Sequence, residues 1–176
     1  MERLIAYIAG AIIAMLALGG VATYAMRAYH GSSTTTATSE ATDIYHSARG
    51  VFGNSVAGGS ASYTNISNAN SIKAGIVPSV MTTGDGQTIV GPWPGSSVKI
   101  FGNGITLWEE WDGVPASACA TFALSQSVNY LTINGNAHPV MSNDPSLAAN
   151  VASDCNMVNS NSTAKILFSY IDIGSQ

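Results

Sequence analysis

The feature that most constrains this chain is an apolar run that begins almost at its first residue. Residues 4–26 contain no charged side chain. At ~1.5 Å of rise per residue, a helix over this run reaches roughly 35 Å, enough to cross a bilayer core of ~30 Å. We therefore expect residues 1–30 to form an apolar helix for membrane insertion or assembly, and residues 31–176 to form a globular head.

Three interpretations of the apolar run compete. It is longer than the ~7–15 apolar residues of a secretory signal peptide, Glu2 offsets Arg3, and no clean cleavage site follows. A single-pass membrane anchor fits the length, but Arg3 and Arg27 lie on opposite sides of the run and give no clear orientation. The third interpretation, a helix that begins in a membrane and ends packed against copies of itself, accounts for more of the chain.

Small residues dominate the run. Ala6, Gly10 and Ala14 recur at every fourth position, so they share one helix face along which two helices can approach closely. Small residues are also common in membrane spans of any kind, so this pattern alone does not decide between the interpretations. Gly19 and Gly20 each cost ~1 kcal/mol relative to alanine in a helix interior. Together they predict a kink or local unwinding.

Composition limits what the head can do. The net charge is −4 and only 9% of residues are charged, which argues against nucleic-acid binding because that function needs clustered lysines and arginines. The chain has two cysteines, Cys119 and Cys155, both outside the apolar run. An even count in an exported chain favours one disulfide over two buried free thiols.

Residues 35–53 predict an amphipathic continuation of the N-terminal helix. One apolar stripe recurs at steps of four and three: Ala37, Ala41, Ile44, Ala48 and Val51. Glu40, Asp43 and His46 lie off this stripe. Residues 31–36, which begin with Gly31, are weak helix formers, and we expect the helix to be interrupted there.

Short strands and helices follow in the rest of the head. Residues 97–101 and 105–111 flank an Asn-Gly pair and predict a β-hairpin that turns at residues 102–104. The other predicted elements are a strand at 76–81, a helix after Pro115 that contains Cys119, a strand at 130–133, a helix near 146–152 and a central strand at 164–173. This order predicts an α+β fold, with an antiparallel sheet packed on the long N-terminal helix.

Several local motifs carry a resemblance to a known family. They are the apolar N-terminal helix, Gly91-Pro92-Trp93 with Gly95 ahead of a strand, Trp111-Asp112-Gly113-Val114-Pro115 followed by Cys119 in a helix, and Cys155 near the last strand. With these motifs the chain resembles the type IV pilins, specifically the type IVb major pilins of the thin-pilus (PilS-like) group. The resemblance covers essentially the whole chain, although most of the middle matches only in pattern.

The resemblance implies the type IV pilin fold and a processing route. Met1 would be the mature first residue, exposed by a prepilin peptidase and then N-methylated. The subunit would wait in the inner membrane until assembly machinery moves it into a helical filament. Cys119 and Cys155 would close the C-terminal disulfide region, 119–155.

One position departs from the family pattern. The family usually carries a glutamate at the fifth mature position, where it pairs with the N-terminal amine of a neighbouring subunit, and this chain has Ile5. Glu2 is the only acid in the stem. Either Glu2 takes over the inter-subunit pairing, or the filament forms without it and Glu2 lies among lipid headgroups.

No catalytic or metal-binding pattern stands out. The histidines are far apart and lack metal-ligand spacing with cysteine or acids: His30, His46 and His138. Glu109, Glu110 and Asp112 form an acidic cluster on a predicted strand, which we interpret as a solvated edge, with a weak calcium site as the alternative. Phosphate-binding loops, dinucleotide fingerprints and nucleophile elbows are absent from the sequence, so we expect no cofactor and no enzyme activity.

The expected function is therefore structural. The leading hypothesis is the major subunit of an extracellular pilus, which contacts identical subunits, the inner-membrane assembly machinery and a host or recipient-cell surface, in adhesion or conjugation. Alternatives are a minor pilin, a secretion pseudopilin or a membrane-anchored binding domain, and an exported enzyme is the least supported. In the filament we expect local melting near Gly19 and Gly20 or in residues 31–36.

Overall fold

A long helix and a six-stranded antiparallel sheet organise the head. The computed structural model describes residues 31–53, 62–141, 144–156 and 163–172. Residues 33–176 form a compact unit of their own. Within the described ranges, no helix combines the length and the apolarity that a bilayer crossing requires, and the apolar run at 4–26 lies outside these ranges.

The described part of the first helix, α1, spans residues 31–48 and continues as a π-helical turn, Arg49–Gly53. Four residues of the predicted stripe are completely buried: Ala37, Ala41, Ile44 and Ala48. The fifth, Val51, was expected on the same face and is 52% exposed. A π-helical turn holds more residues per turn than an α-helix, so it rotates Val51 away from the face that the α-helical period predicts.

The interruption expected at residues 31–36 is not seen here, since these residues are helical. Ser33 and Thr34 are buried, so tertiary contacts offset the weak helix propensity of this segment. The prediction of local melting concerns the assembled filament, and for Gly31 and its neighbours it stays a prediction.

The remaining elements follow in order along the chain. They are α2 (Asn68–Lys73), a 3-10 turn (Ser79–Met81), β1 (Ile89–Val90), β2 (Ser97–Asn103), β3 (Thr106–Pro115), α3 (Ala116–Ala123), β4 (Tyr130–Ile133), β5 (Asn136–Pro139), α4 (Leu147–Asn156) and β6 (Thr163–Ile171). All strand pairs are antiparallel, in the order β1-β2-β3-β6-β4-β5. The predicted α+β fold is confirmed, and the last strand is central as expected.

One face of the sheet is buried and forms the core together with α1 and α3. Side chains alternate across a strand, so every second residue of β2, β3 and β6 points to this inner face. Trp111, opposite Val98 and Ile166, is fully buried there. On α1, Tyr45 stacks on Tyr170 of β6 with ring centroids 4.1 Å apart. The helix therefore packs directly on the central strand.

Two glycines shape the β2–β3 hairpin. The turn lies at residues 104–105, slightly later than predicted, because β2 continues through Gly102 and Asn103. A Cβ at Gly102 would overlap the Tyr63 side chain, so only glycine, which has no side chain, fits at this position. At Gly113 the pairing of β3 with β6 shifts register, and a φ of +81° with Ser96 close by favours glycine in this bulge.

The strand predicted at residues 76–81 was wrong. The segment instead forms the 3-10 turn Ser79–Met81, in which the Met81 amide donates to the Pro78 carbonyl at 3.0 Å. Pro78 has no N–H and a fixed φ, which favours the start of a turn over a sheet ladder. The predicted helices after Pro115 and near residue 146, and the strand at 130–133, are confirmed.

Candidate functional site

The predicted disulfide is present and joins two helices. Cys119 of α3 and Cys155 of α4 are bonded, with Cα atoms 5.8 Å apart. Both cysteines are buried, and Phe122 on the same face of α3 lies in the aromatic core, edge-on to Trp111. The two cysteines are 36 residues apart in the chain. A disulfide that closes a loop of this length stabilises the folded head because it reduces the conformational freedom of the unfolded chain.

A second connection holds α4 to the β4–β5 hairpin, through the residue next to Cys155. The Asp154 carbonyl accepts from Asn134 Nδ2 at 3.2 Å, and its carboxylate accepts from Asn136 Nδ2 at 3.1 Å. His138 Nε2 lies 2.6 Å from the other carboxylate oxygen. From the sequence, His138 was expected to be a surface or loop residue. It is instead largely buried and paired, so this expectation was wrong.

The end of β6 carries a third polar cluster, centred on Asp172. Its carboxylate accepts hydrogen bonds from the Tyr63 hydroxyl and, at 3.3 Å, from the Tyr45 hydroxyl. Arg49 Nε lies 3.4 Å from the same carboxylate. Burial and the Asp172 carboxylate raise the pKa of Tyr63 well above its ordinary value, so the phenol keeps its proton. The cluster connects the C-terminal part of α1, residue 63 and the last strand.

Glu109 departs most clearly from its sequence interpretation. It lies on the inner face of β3, opposite Ile100 and Phe168, and it is completely buried. Trp111 Nε1 donates to Oε2 at 3.4 Å, and Oε1 has no partner among the described residues. Burial raises the pKa of Glu109 well above its ordinary value, which favours the neutral acid. The predicted solvated acidic edge is therefore wrong for Glu109.

The other two acids of that cluster do face outward. Lys165 of β6 lies 3.3 Å from Glu110 and 3.6 Å from Asp112, and all three side chains are accessible to water. The pKa of Lys165 is raised mainly by its hydrogen bond to Glu110. This is a solvated ion group on the outer face, which contributes little to stability.

Glu40 of α1 is a further buried acid. It was expected off the apolar stripe, but it is only 8% exposed, and Oε2 has no partner among the described residues. Burial, together with the nearby Asp43 carboxylate, raises the pKa of Glu40 to about 7. The helix face buried in the head is therefore wider than the stripe of aliphatic residues.

Most of the polar groups described above bond to one another or to other parts of the head. In the described ranges, no three His, Cys, Asp or Glu side chains come together as metal ligands. A cavity of about 320 Å³ lies between α1 and the α3–β4 connection, but Thr42 and Gln126 in its wall already bond to each other at 3.2 Å. The polar clusters hold helices to strands, which is a structural role.

Comparisons with known proteins agree with this architecture. A family model described as PilS N terminal matches residues 29–170. The chain belongs to this family. A crystal structure of a type IVb pilin from Salmonella typhi aligns with a TM-score of 0.56 and 22% sequence identity, covering 78% of this chain and 99% of that one. Among curated proteins, no sequence matches.

The fold is therefore that of a type IV pilin, as the sequence predicted. The family is that of type IVb pilins, so family and fold together support a pilus subunit, which is a structural protein. For this pilin, the disulfide and the polar clusters around Asp154 and Asp172 define how the head keeps its helices against the sheet.

Most of the predicted assembly residues lie outside the described ranges. They are Met1, Glu2, Ala6, Gly10, Ala14, Gly19 and Gly20. Gly31 is the first described residue and is helical. Their proposed roles in the pilin stay predictions.

Sequence reasoning missed the clusters for different reasons. Glu109 could have been found, because strand alternation places it on the same face as Leu107 and Trp111. The contact between His138 and Asp154 depends on how the β4–β5 hairpin packs against α4, and no local sequence pattern predicts it. Asp172 and Tyr63 are 109 residues apart in the chain, so their contact also depends on the complete fold.

Proposed function

We propose that this pilin is the major, repeating subunit of an extracellular type IVb pilus and that it polymerises through residues 1–30. The observation that carries the proposal is a PilS-family head, matched over residues 29–170, that directly follows a span-length apolar run in sequence. Before assembly the apolar run would hold the subunit in the inner membrane. In the filament the same side chains would pack against those of identical subunits.

Close helix packing is the physical basis of this assembly. In an apolar environment helices associate through van der Waals contact, which is best where small residues let backbones approach. Ala6, Gly10 and Ala14 would provide that face. Gly19, Gly20 and Gly31 would allow the helix to melt locally and adapt to the filament.

The assembly face can be tested with two matched substitutions. Gly10→Leu fills the small face, whereas Ile12→Leu changes a large apolar residue by little volume and lies on another part of the helix. We expect G10L to abolish filaments in sheared cell-surface material, seen by electron microscopy, and I12L to retain them. Filaments of normal abundance from G10L, or from a chain lacking residues 1–26, would refute polymerisation through this helix.

The N-terminus offers a second test. Met1 would be exposed by the prepilin peptidase and N-methylated, and Glu2 would pair with the N-terminal amine of a neighbouring subunit. Glu2→Gln removes the charge and keeps the shape, so we expect fewer filaments while the membrane pool stays normal. Unchanged filament yield would assign Glu2 to the lipid headgroup region. Mass spectrometry of the N-terminal peptide checks the cleavage and the methylation.

Abundance separates the major subunit from a minor pilin or a pseudopilin. We expect this chain to be the dominant band of sheared filaments. The pilus would mediate contact with a host cell or a conjugation recipient, so a deletion strain should lose adhesion or transfer of a mobilisable plasmid. A monomer in detergent, with no filaments on cells, would favour a membrane-anchored binding domain.

A further inference from the structure

Helix α4 is held to the rest of the head at two consecutive residues, by two different kinds of bond. Cys155 connects it covalently to α3, and Asp154 connects it to the β4–β5 hairpin. The covalent connection does not depend on pH in the physiological range. The second connection includes His138, and histidine is the side chain that ordinarily gains or loses charge between pH 5 and 8.

The Asp154 carboxylate needs its partners because it is almost inaccessible, with a side-chain exposure of 9%. A buried carboxylate is costly unless hydrogen bonds and an opposite charge compensate it. Asn136 supplies a neutral amide at 3.1 Å, and the Asn134 amide reaches only the Asp154 carbonyl. Among the described contacts, His138 is therefore the one that can bring a positive charge to this carboxylate.

Two carboxyl groups lie near His138, on α4 and in the segment before it. Asp154 faces it from α4, and Asp144 lies close enough, in the segment before α4, for its pKa to be lowered slightly by His138 after the larger effect of Ser146. The residue opposite on β4 is the apolar Leu131. By sequence, residues 142–143 and 157–162, which flank α4, contain no charged side chain.

We propose that His138 and Asp154 form a proton-controlled latch, which holds the disulfide-linked helix α4 against the β4–β5 hairpin and loosens when His138 loses its proton. With His138 charged, the contact is a charge-assisted hydrogen bond, about twice as strong as a neutral one. With His138 neutral, the buried Asp154 carboxyl group keeps only neutral hydrogen-bond partners. The disulfide keeps α4 attached to α3, so the head stays folded while this corner opens more often.

Hydrogen exchange on the full-length chain in detergent tests the latch. Protection of the α4 and β5 amides, corrected for the intrinsic exchange rate, is expressed relative to the amides of β2 and β3 and compared at about pH 5.5 and about pH 8, on either side of ordinary histidine titration. This reference removes the pH dependence that Glu40 and Glu109 give to the stability of the whole head. We expect about fivefold greater protection at the lower pH, as the stronger charge-assisted bond requires. Equal protection at both pH values would overturn the proposal.

Variants assign the effect to the pair. His138→Gln keeps a donor without a titrating charge, so the pH dependence should vanish, and His138→Lys should keep α4 protected at both values. His46→Gln, at the exposed histidine of α1, is the matched control and should behave like the wild type. A pH dependence of the relative protection of α4 that persists in H138Q would overturn the proposal.

A second measurement covers the case in which H138Q does not fold. In the wild type, the imidazole resonances of His138 should titrate over the same pH range in which α4 loses protection. Titration in a different range, or α4 opening without any change at His138, would overturn the latch. Non-reducing mass spectrometry confirms that the Cys119–Cys155 bond is intact in every sample.

Discussion

Two buried carboxyl groups in this pilin head differ in how many hydrogen-bond partners they have. Asp172, just after β6, accepts bonds from Tyr45 and Tyr63 and lies beside Arg49. Glu109, in the middle of β3, has one long bond from Trp111 and an oxygen with no partner in the described structure. The first acid has three partners that can compensate its charge, whereas burial of the second favours the neutral acid.

The difference follows from the position of each acid in the sheet. In the centre of a sheet the backbone N–H groups are used in the ladder, and the inner face offers apolar neighbours such as Ile100 and Phe168. At the end of a strand, loops and helix termini bring in side-chain donors. An acid at a strand end can therefore connect elements, while an acid in the centre destabilises unless it stays protonated.

The largest effect should come from removing the paired acid. Asp172→Ala leaves two tyrosine hydroxyls and Arg49 without their acceptor, and we expect the free energy of unfolding to fall by about 3 kcal/mol. Urea unfolding of the head, with its disulfide intact, measures this change. Asp112→Ala, on the exposed outer face, is the matched control and should cost less than about 0.5 kcal/mol. Equal losses in the two variants would remove the distinction between the sites.

Replacing the unpaired acid, Glu109, should increase the stability of the head, whereas replacing Asp172 decreases it, and the increase should depend on pH. A carboxyl whose pKa is raised in the folded state binds its proton more tightly there, so stability falls as pH rises above the ordinary carboxyl pKa. Glu109→Gln removes this loss. Relative to the wild type, we expect the free energy of unfolding of the variant to increase by about 1.4 kcal/mol for each pH unit between the ordinary and the raised pKa of Glu109.

Unfolding curves at pH 5, 6 and 7 check this slope, with Glu110→Gln as the solvated control on the adjacent residue. A constant difference between E109Q and the wild type at all three values would mean that Glu109 is ionised throughout in the folded state.

These buried acids also show how far sequence reasoning reaches. The stripe from Ala37 to Ala48 and the hairpin at Asn103 were predictable, because they depend on helical period and local turn chemistry. The exposure of Val51 was not, because a π-helical turn changes the period without a clear sequence signal. The partners of Asp154 and Asp172 come from distant parts of the chain, so they could not be read from local patterns.

A smaller effect should separate the donors at Asp172. Tyr63→Phe removes one buried hydroxyl and leaves Tyr45 and Arg49 in place, so we expect a loss of about 1–2 kcal/mol in the free energy of unfolding. Tyr45→Phe removes the longer, partly buried bond of 3.3 Å and should cost less. If Y45F proved the more damaging variant, Asp172 would be held mainly from α1 and not from residue 63.

The smallest effect is expected at Glu40, which lies between the two extremes. It is 8% exposed whereas Glu109 is completely buried, and its pKa is raised to about 7 by burial and by Asp43. Stability should therefore fall between about pH 5 and about pH 7, and partial access to water limits this loss to about 1 kcal/mol. Glu40→Gln should abolish it, and Asp43→Asn should reduce it by removing the like charge. If D43N left the pH dependence of unfolding unchanged, burial and not the like charge would set the pKa of Glu40.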